Sequence, residues 1–333
     1  MSPDGLPPIV GNSSAMRRAR ELIERYAPGA LAILVVGGTG TGKELVARHI
    51  HARSARRGRF VAVNCGALPR EMAEGLLYGY ERGAFSGAVQ RHRGHIECAD
   101  RGTLFLDELL SLALDRQAKL LRALDTGEIQ RLGDESERHI DVRFVGAVQD
   151  ALEQQVSSGA FRRDLYQRLA GVVIELPPLV ERMEDVVPLA EYFVEQRGQR
   201  LEPAATQELM SYAWPGNVRE LRLAIERAGC SVEDPALPAA AVRSAIRIAA
   251  LGARAEAHRS ANALAPELAA LVAVCQAHGW DTRSAATELG IARSTLYYRL
   301  KAAGISPRAC RRAYSEFHWN SMEFQKRTLC PSC

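Results

Sequence analysis

No apolar run in these 333 residues approaches the ~20 needed to cross a bilayer, which excludes a single-pass helical span. The opening MSPDGLPP has no basic region followed by an apolar core, so no export signal is read there. Cysteine is scarce and odd in number, seven scattered along the chain, which argues against a disulfide framework. Cys330 and Cys333 form one C-x-x-C without a well-spaced second pair, so no metal site is expected from them. Aromatics make up only 6%, and any that stands outside an apolar period is therefore conspicuous. These absences leave a cytoplasmic globular chain, long enough for two or three domains.

The net charge of +4 is too mild to indicate nucleic acid by itself. Its distribution says more, because the stretch after residue 290 holds many Arg and Lys and few acids.

What is present is organised around residues 31–44, LAILVVGGTGTGKE. An apolar run from Leu31 to Val36 ends in a glycine-rich loop, and a helical pattern follows from Lys43. Gly37, Gly42 and Lys43 fit the phosphate-binding spacing G-x-x-x-x-G-K, with Gly38, Thr39, Gly40 and Thr41 between them. Glycines let backbone N–H groups close around phosphate oxygens, and the following helix aims its positive end at the same anion. Lys43 adds a point charge, while Glu44 stands where a magnesium-binding Ser or Thr is usual.

Strands alternate with helices through the first half of the chain, which predicts a parallel α/β sheet with ligands at the strands' carboxyl ends. FVAVN ends at the polar Asn64, TLFLDE at Asp107 and Glu108, and VRFVGAV at Gln149. Asp107 can hold Mg²⁺ directly or through water, and Glu108 can orient and polarise an attacking water. Between these strands, Gly83-Ala84-Phe85-Ser86-Gly87-Ala88 is a glycine-bounded loop with a lone aromatic among small neighbours, which suggests an exposed tip made to touch something. The domain plan is an α/β nucleotide unit over 1–182, a helical lid over 183–230, an Ala/Pro/Arg-rich linker over 231–262, a helix-turn-helix over 263–306 and a disordered tail over 307–333. In the helix-turn-helix, Ala285, Ala286 and Leu289 are expected to pack against Ile291, Leu296 and Leu300, leaving Arg293, Ser294, Thr295, Tyr297, Tyr298 and Arg299 as the recognition surface.

Taken together, GTGKE, NCGALP, GAFSGA, GTLFLDE, FRRDLYQRL, LPPLVER and WPGNVREL resemble the AAA+ activators of sigma-54 RNA polymerase, the bacterial enhancer-binding proteins. The likeness is nearly collinear over residues 9–230 and resumes in a Fis-type helix-turn-helix. Its most specific motif is GAFSGA at 83–88, close to the family's GAFTGA. The resemblance implies an ATP- and Mg²⁺-dependent ring, homo- or hetero-oligomeric, that remodels sigma-54 polymerase from upstream enhancer DNA, with no membrane association. It implies a catalytic role for Glu108, a switch role for Asn64, trans-acting arginines at Arg162 and Arg168, and a nucleotide-sensing lid arginine at Arg219. Because the likeness starts almost at residue 1, it also suggests control by a regulator acting in trans rather than by an attached receiver domain. Ser86 replaces the family's threonine, Val180 an arginine, Gly38-Thr39 the common Glu-Ser, and Gln149 an asparagine near the γ-phosphate. Gln149 carries its amide about one C–C bond, ~1.5 Å, further out, which predicts slow turnover with ordinary ATP affinity, and faster turnover in Gln149→Asn.

Overall fold

The computed structural model describes residues 5–149 and 152–302. The chain separates into two units, residues 1–251 and 252–333.

The first unit opens with α1 (Ser14–Tyr26). Ser13 is its N-cap, the hydroxyl accepting from the Met16 N–H, and Met16, Ala19 and Ile23 form its buried stripe at helical spacing. There follow β1 (Ile33–Val36), α2 (Lys43–Ala52) and β2 (Phe60–Asn64). An insertion then carries α3 (Ala73–Tyr78), β3 (Gly79–Tyr80), β4 (His92–Arg93) and α4 (His95–Cys98). The main fold resumes with β5 (Thr103–Asp107) and α5 (Leu114–Thr126), and a hairpin is made by β6 (Glu128–Gln130) and β7 (Glu137–His139). Completing the α/β part are β8 (Arg143–Val148), α6 (Leu152–Ser157), α7 (Arg163–Leu169) and β9 (Val172–Glu175).

Five strands make one parallel sheet in the order β2-β5-β8-β1-β9. Its central strands read as continuous apolar runs because both faces are covered. Side chains alternate across it: Leu34, Leu104, Leu106 and Phe144 enter one core, and Ile33, Val35, Phe105 and Val145 enter the other. Arg143 is the exception, a buried cation at the start of β8 whose guanidinium donates to the carbonyls of Tyr26 and Ala27 at the end of α1. Burial, with a smaller contribution from Arg56, pushes its pKa down to about 10, so the charge survives at neutral pH and complements the helix's negative end.

The lid contains α8 (Val186–Glu195), β10 (Arg200–Leu201), α9 (Pro203–Met210), α10 (Asn217–Cys230) and β11 (Ala236–Leu237). It differs from the expected boundaries. β10 and β11 pair in parallel, and Leu237, Val242 and Ala245 belong to the lid core with Trp214 and Leu221, so the lid does not end at 230. Nor is 231–262 an irregular linker, because α11 (Ala239–Ala277) runs through most of it. Its alanine content supplies helix propensity where the apolar period is weak.

The second unit takes the C-terminal part of α11, then α12 (Thr282–Glu288) and α13 (Arg293–Ala302). Asp281 caps α12, and Gly290 makes the turn at φ 63°. Leu271, Cys275, Trp280, Ala285, Ala286, Leu296 and Leu300 form the core, with Leu289 and Ile291 packed on it, as the residue pattern implies for a helix-turn-helix. The tail from 307, with Cys330 and Cys333, lies outside the described residues. Among the described residues no helix is long and apolar enough to cross a membrane.

Arg143→Met is expected to strand two helix-end carbonyls and destabilise the first unit by ~2–4 kcal/mol. The check is the denaturant midpoint followed at the single-mutant level, with an unchanged m-value.

Candidate functional site

The glycine loop joins β1 to α2 at the centre of the sheet, and the Gly37 N–H still pairs with the Val148 carbonyl of β8. Two of its glycines have backbones that other residues resist, Gly40 at φ 78° and Gly42 at φ 108°. Gly37 and Gly40 are also pressed close, since a Cβ on either would lie 2.5 Å from a carbonyl oxygen, of Leu176 and Gly216 respectively.

Every carbonyl from Gly37 to Thr41 is held by a donor. Lys43 Nζ donates to Gly37 O at 2.8 Å and Gly38 O at 3.0 Å. Asn217 Nδ2 donates to Thr39 O at 2.9 Å, the Arg219 N–H to Gly40 O at 3.2 Å, and Arg182 to Thr41 O at 3.2 Å. Turning the oxygens outward presents N–H groups to the cleft, the arrangement that binds phosphate. Three of these donors belong to the lid or its connection. Asn217, buried and left-handed at φ 56°, also accepts from the Leu179 N–H at 2.7 Å. Arg182 is buried against Asp185, 3.8 Å away; burial lowers its pKa and Asp185 opposes that shift. Asp185 in turn accepts from the Asn12 and Ser13 N–H groups and the Ser13 hydroxyl. Sequence reading assigned roles to neither Asn217 nor Arg182, although both lie inside the motifs WPGNVREL and LPPLVER.

The cleft is a cavity of about 800 Å³ lined by the loop, Lys43, Asn64, Asp107, Glu108, Gln149 and Arg219. A volume of that size accommodates a nucleotide. Asn64 and Asp107 are register partners at the ends of β2 and β5. Asn64 Oδ1 accepts from the N–H groups of Gly66 and Ala67. Among the described residues it makes no hydrogen bond to Glu108. Asp107 Oδ1 accepts from the Glu108 N–H at 2.9 Å, and Glu108 sits left-handed at φ 53°. Beneath them, burial and then the two carboxylates push the Cys65 thiol up to about 12, so it stays protonated and inert. Gln149 Nε2 reaches the Thr39 hydroxyl at 3.4 Å. Glu44, exposed at the cleft, pairs with Arg48 one turn along α2 at 2.7 Å. Among the described residues no group of three or more His, Cys, Asp or Glu could hold a metal. A divalent cation beside Asp107 would take its remaining ligands from phosphate and water, the usual way magnesium is held.

Arg162 and Arg168 do not line this cleft. Each is roughly half exposed and paired with a local acid, Arg162 with Asp164 at 2.7 Å and Arg168 with Asp125 at 2.8 Å.

The lone aromatic lies at the tip of the β3–β4 hairpin, where Gly83 at φ 83° and Gly87 at φ 117° bound the loop and the Gly83 N–H closes it on Ala88 O. Phe85 is 42% exposed and meets the Tyr80 ring edge-on at 5.0 Å. Ser86 is exposed and Ala88 buried. Below the tip, the buried Arg131 donates to Glu81 at 2.6 Å and to Glu97. Burial alone would raise the Glu97 pKa, but the bond from Arg131 holds it below the usual carboxylate value. This network, invisible as sequence, ties the base of the hairpin to the β6–β7 hairpin.

In the second unit, Arg293, Tyr297 and Arg299 are exposed and Thr295 half-buried; Arg293 Nε is engaged by Thr282 Oγ1 at 3.0 Å. The side chains of Ser294 and Tyr298 lie outside what is described.

A glycine loop and lid built this way on a five-stranded parallel sheet define a AAA+ P-loop ATPase. Comparison with known proteins places it further: residues 9–175 match the sigma-54 interaction domain, 180–259 the AAA+ ATPase lid domain, and 267–302 the Fis-family bacterial regulatory protein. The chain belongs to the family of the sigma-54 interaction domain and is an ATPase of that family. It is 40% identical over 309 residues to the transcriptional regulatory protein ZraR of Klebsiella oxytoca, covering 88% of this chain and 68% of ZraR. Over 228 residues it is 50% identical to the anaerobic nitric oxide reductase transcription regulator NorR of Vibrio vulnificus (strain YJ016). That match takes in 66% of this chain and only 45% of NorR, so the chain spans about half the length of this relative. Among solved structures, NtrX of Brucella abortus in complex with ATP superposes with a TM-score of 0.64 at 34% identity, covering 90% of this chain and 70% of NtrX.

Lys43→Ala is expected to remove measurable ATP binding, whereas Glu108→Ala should bind ATP within about twofold of wild type and lose ~10²-fold or more in turnover. Equilibrium binding of a fluorescent ATP analogue, beside steady-state phosphate release, separates the two.

Proposed function

We propose that this chain is an ATP-driven transcription activator that remodels the closed complex of sigma-54 RNA polymerase into the open one. The observation that carries the reading is Phe85, a half-exposed aromatic on a glycine-bounded hairpin inserted into an ATPase core. Gly83, Ala84, Phe85, Ser86 and Gly87 are the surface offered to sigma-54, and the buried Ala88 closes the loop behind them. The Arg131–Glu81–Glu97 network makes the hairpin a stiff lever instead of a floppy loop, so that movement at its base reaches the tip.

In the cleft, the loop from Gly37 to Gly42 binds the phosphates through its N–H groups, and Lys43, while holding Gly37 O and Gly38 O, adds its charge at the β- and γ-phosphates. Arg219, on the first turn of α10, senses the nucleotide from the lid. Asp107 would hold Mg²⁺, which would supply charge neutralisation to the phosphates when bound. Glu108 accepts the proton of the attacking water, and Gln149 faces the γ-phosphate from the end of β8. Asn64 restrains Glu108 by turning its amide nitrogen toward that carboxylate, its oxygen staying on the Gly66 and Ala67 N–H groups. Arg162 and Arg168, which do not line their own cleft, stabilise transition-state charge in a neighbour's, which requires a ring. Such a ring is a hexamer, of this chain alone or with a paralogue, working in the cytoplasm. The helix-turn-helix tethers it at enhancer DNA through Arg293, Ser294, Thr295, Tyr297, Tyr298 and Arg299, raising its effective concentration at the promoter.

Phe85→Ala is expected to retain ATPase within about twofold while abolishing open-complex formation on a sigma-54 promoter. Promoter melting in the presence of sigma-54 holoenzyme reads this directly; persistent melting would reduce the loop to a structural element. For the ring, Arg162→Ala or Arg168→Ala subunits should each be inactive alone and regain ATPase when mixed with Lys43→Ala subunits. Absence of any regain in mixtures that co-migrate as one oligomer would remove the trans arginines from the mechanism.

A further inference from the structure

The end of a central sheet strand and the phosphate loop touch through their side chains. The Gln149 amide, at the end of β8, donates to the Thr39 hydroxyl in the phosphate loop at 3.4 Å. The carbonyl of that same threonine accepts from Asn217 Nδ2 at 2.9 Å. Asn217 also accepts from the Leu179 N–H, so one residue of the loop is tied to a sheet strand by its side chain and to the lid by its main chain.

We propose that Thr39 is a positioning residue for ATP hydrolysis, its hydroxyl orienting the Gln149 amide while its carbonyl links that pair to the lid through Asn217. The inference rests on Gln149 facing the γ-phosphate, as proposed above. The length that from sequence alone should misplace the amide is what lets it reach Thr39. One N–H of Gln149 is then used on the hydroxyl, and the second N–H and the carbonyl oxygen remain for the phosphate or the attacking water. A threonine suits this better than a serine, because its branched Cβ restricts χ1 and holds the hydroxyl in one direction. At 3.4 Å the contact is long, as catalytic hydrogen bonds commonly are before the reacting group is bound. Orientation is where such a bond acts, since an amide displaced by ~1 Å costs as much as 10²-fold in rate. Lid position enters through Asn217. A lid movement that pulls on the Thr39 carbonyl rotates the same residue whose hydroxyl aims the amide, so lid closure and Gln149 placement are one event.

The test uses the full chain, with ATP affinity and kcat measured separately. Thr39→Val keeps the shape and the carbonyl but lacks the hydroxyl. It is expected to lower kcat ~10-fold and leave the ATP Kd within about twofold. Thr39→Ser should recover kcat to within about threefold of wild type. Gln149→Asn, shorter by about one C–C bond, loses the same contact and should be slower than wild type, reversing the expectation from sequence. In a Gln149→Ala background, Thr39→Val should cost nothing further, because the amide it orients is gone. An equal loss in that background, a loss confined to ATP affinity, or a faster Gln149→Asn overturns the inference. Gln149→Ala with wild-type kcat would defeat the underlying reading of Gln149 and this inference with it. Gln149→Ala slow but Thr39→Val normal would defeat this inference alone.

Discussion

Five carbonyl oxygens decide how this ATPase is put together. A loop of glycines has no preference of its own for turning N–H groups toward a phosphate, and glycine loses more conformational freedom on folding than any other residue. The preference is imposed from outside, by donors that hold Gly37 O to Thr41 O away from the cleft. Those donors come from α2, from the β9–α8 connection and from α10. The phosphate site is therefore complete only when the lid is docked by Asn217, Arg182 and the Arg219 main chain. Nucleotide binding and lid position are coupled by hydrogen bonds that pass through the loop's backbone, not by the nucleotide alone.

The same economy governs the hairpin. Arg131 is buried, yet its charge is matched by Glu81 below the tip and Glu97 on α4. Removing both acids would leave a buried charge unpaired, which is far more costly than never having built the network. Phe85 needs that rigidity, since an aromatic on a slack glycine loop would lie down on its own surface. Its edge contact with Tyr80 leaves part of the ring outward and keeps the rest dry.

Much of this was legible in the residues. Strands buried on both faces announce themselves as apolar runs, and glycine spacing with a following lysine locates the phosphate loop. Phe85 stands out because its neighbours are small. The polar framework was not legible, for a physical reason. Asn217 meets Thr39 across 178 residues, Arg182 meets Thr41 across 141, and Arg143 meets Ala27 across 116. No local pattern distinguishes such residues from solvated ones, because their role exists only once the chain has closed. The α11 segment is hidden for a different reason: its apolar period is weak, and an alanine-rich helix makes its case through propensity.

Glu108 occupies a backbone well that suits glycine or asparagine and costs glutamate ~1–3 kcal/mol. Only a longer acid, however, extends from the end of β5 over Gly66, where a Cβ would lie 2.2 Å from its carboxylate. Selection for a sturdier fold and selection for turnover therefore pull this position in opposite directions. A chain drifting free of its ATPase duty would gain stability by relaxing this residue toward glycine.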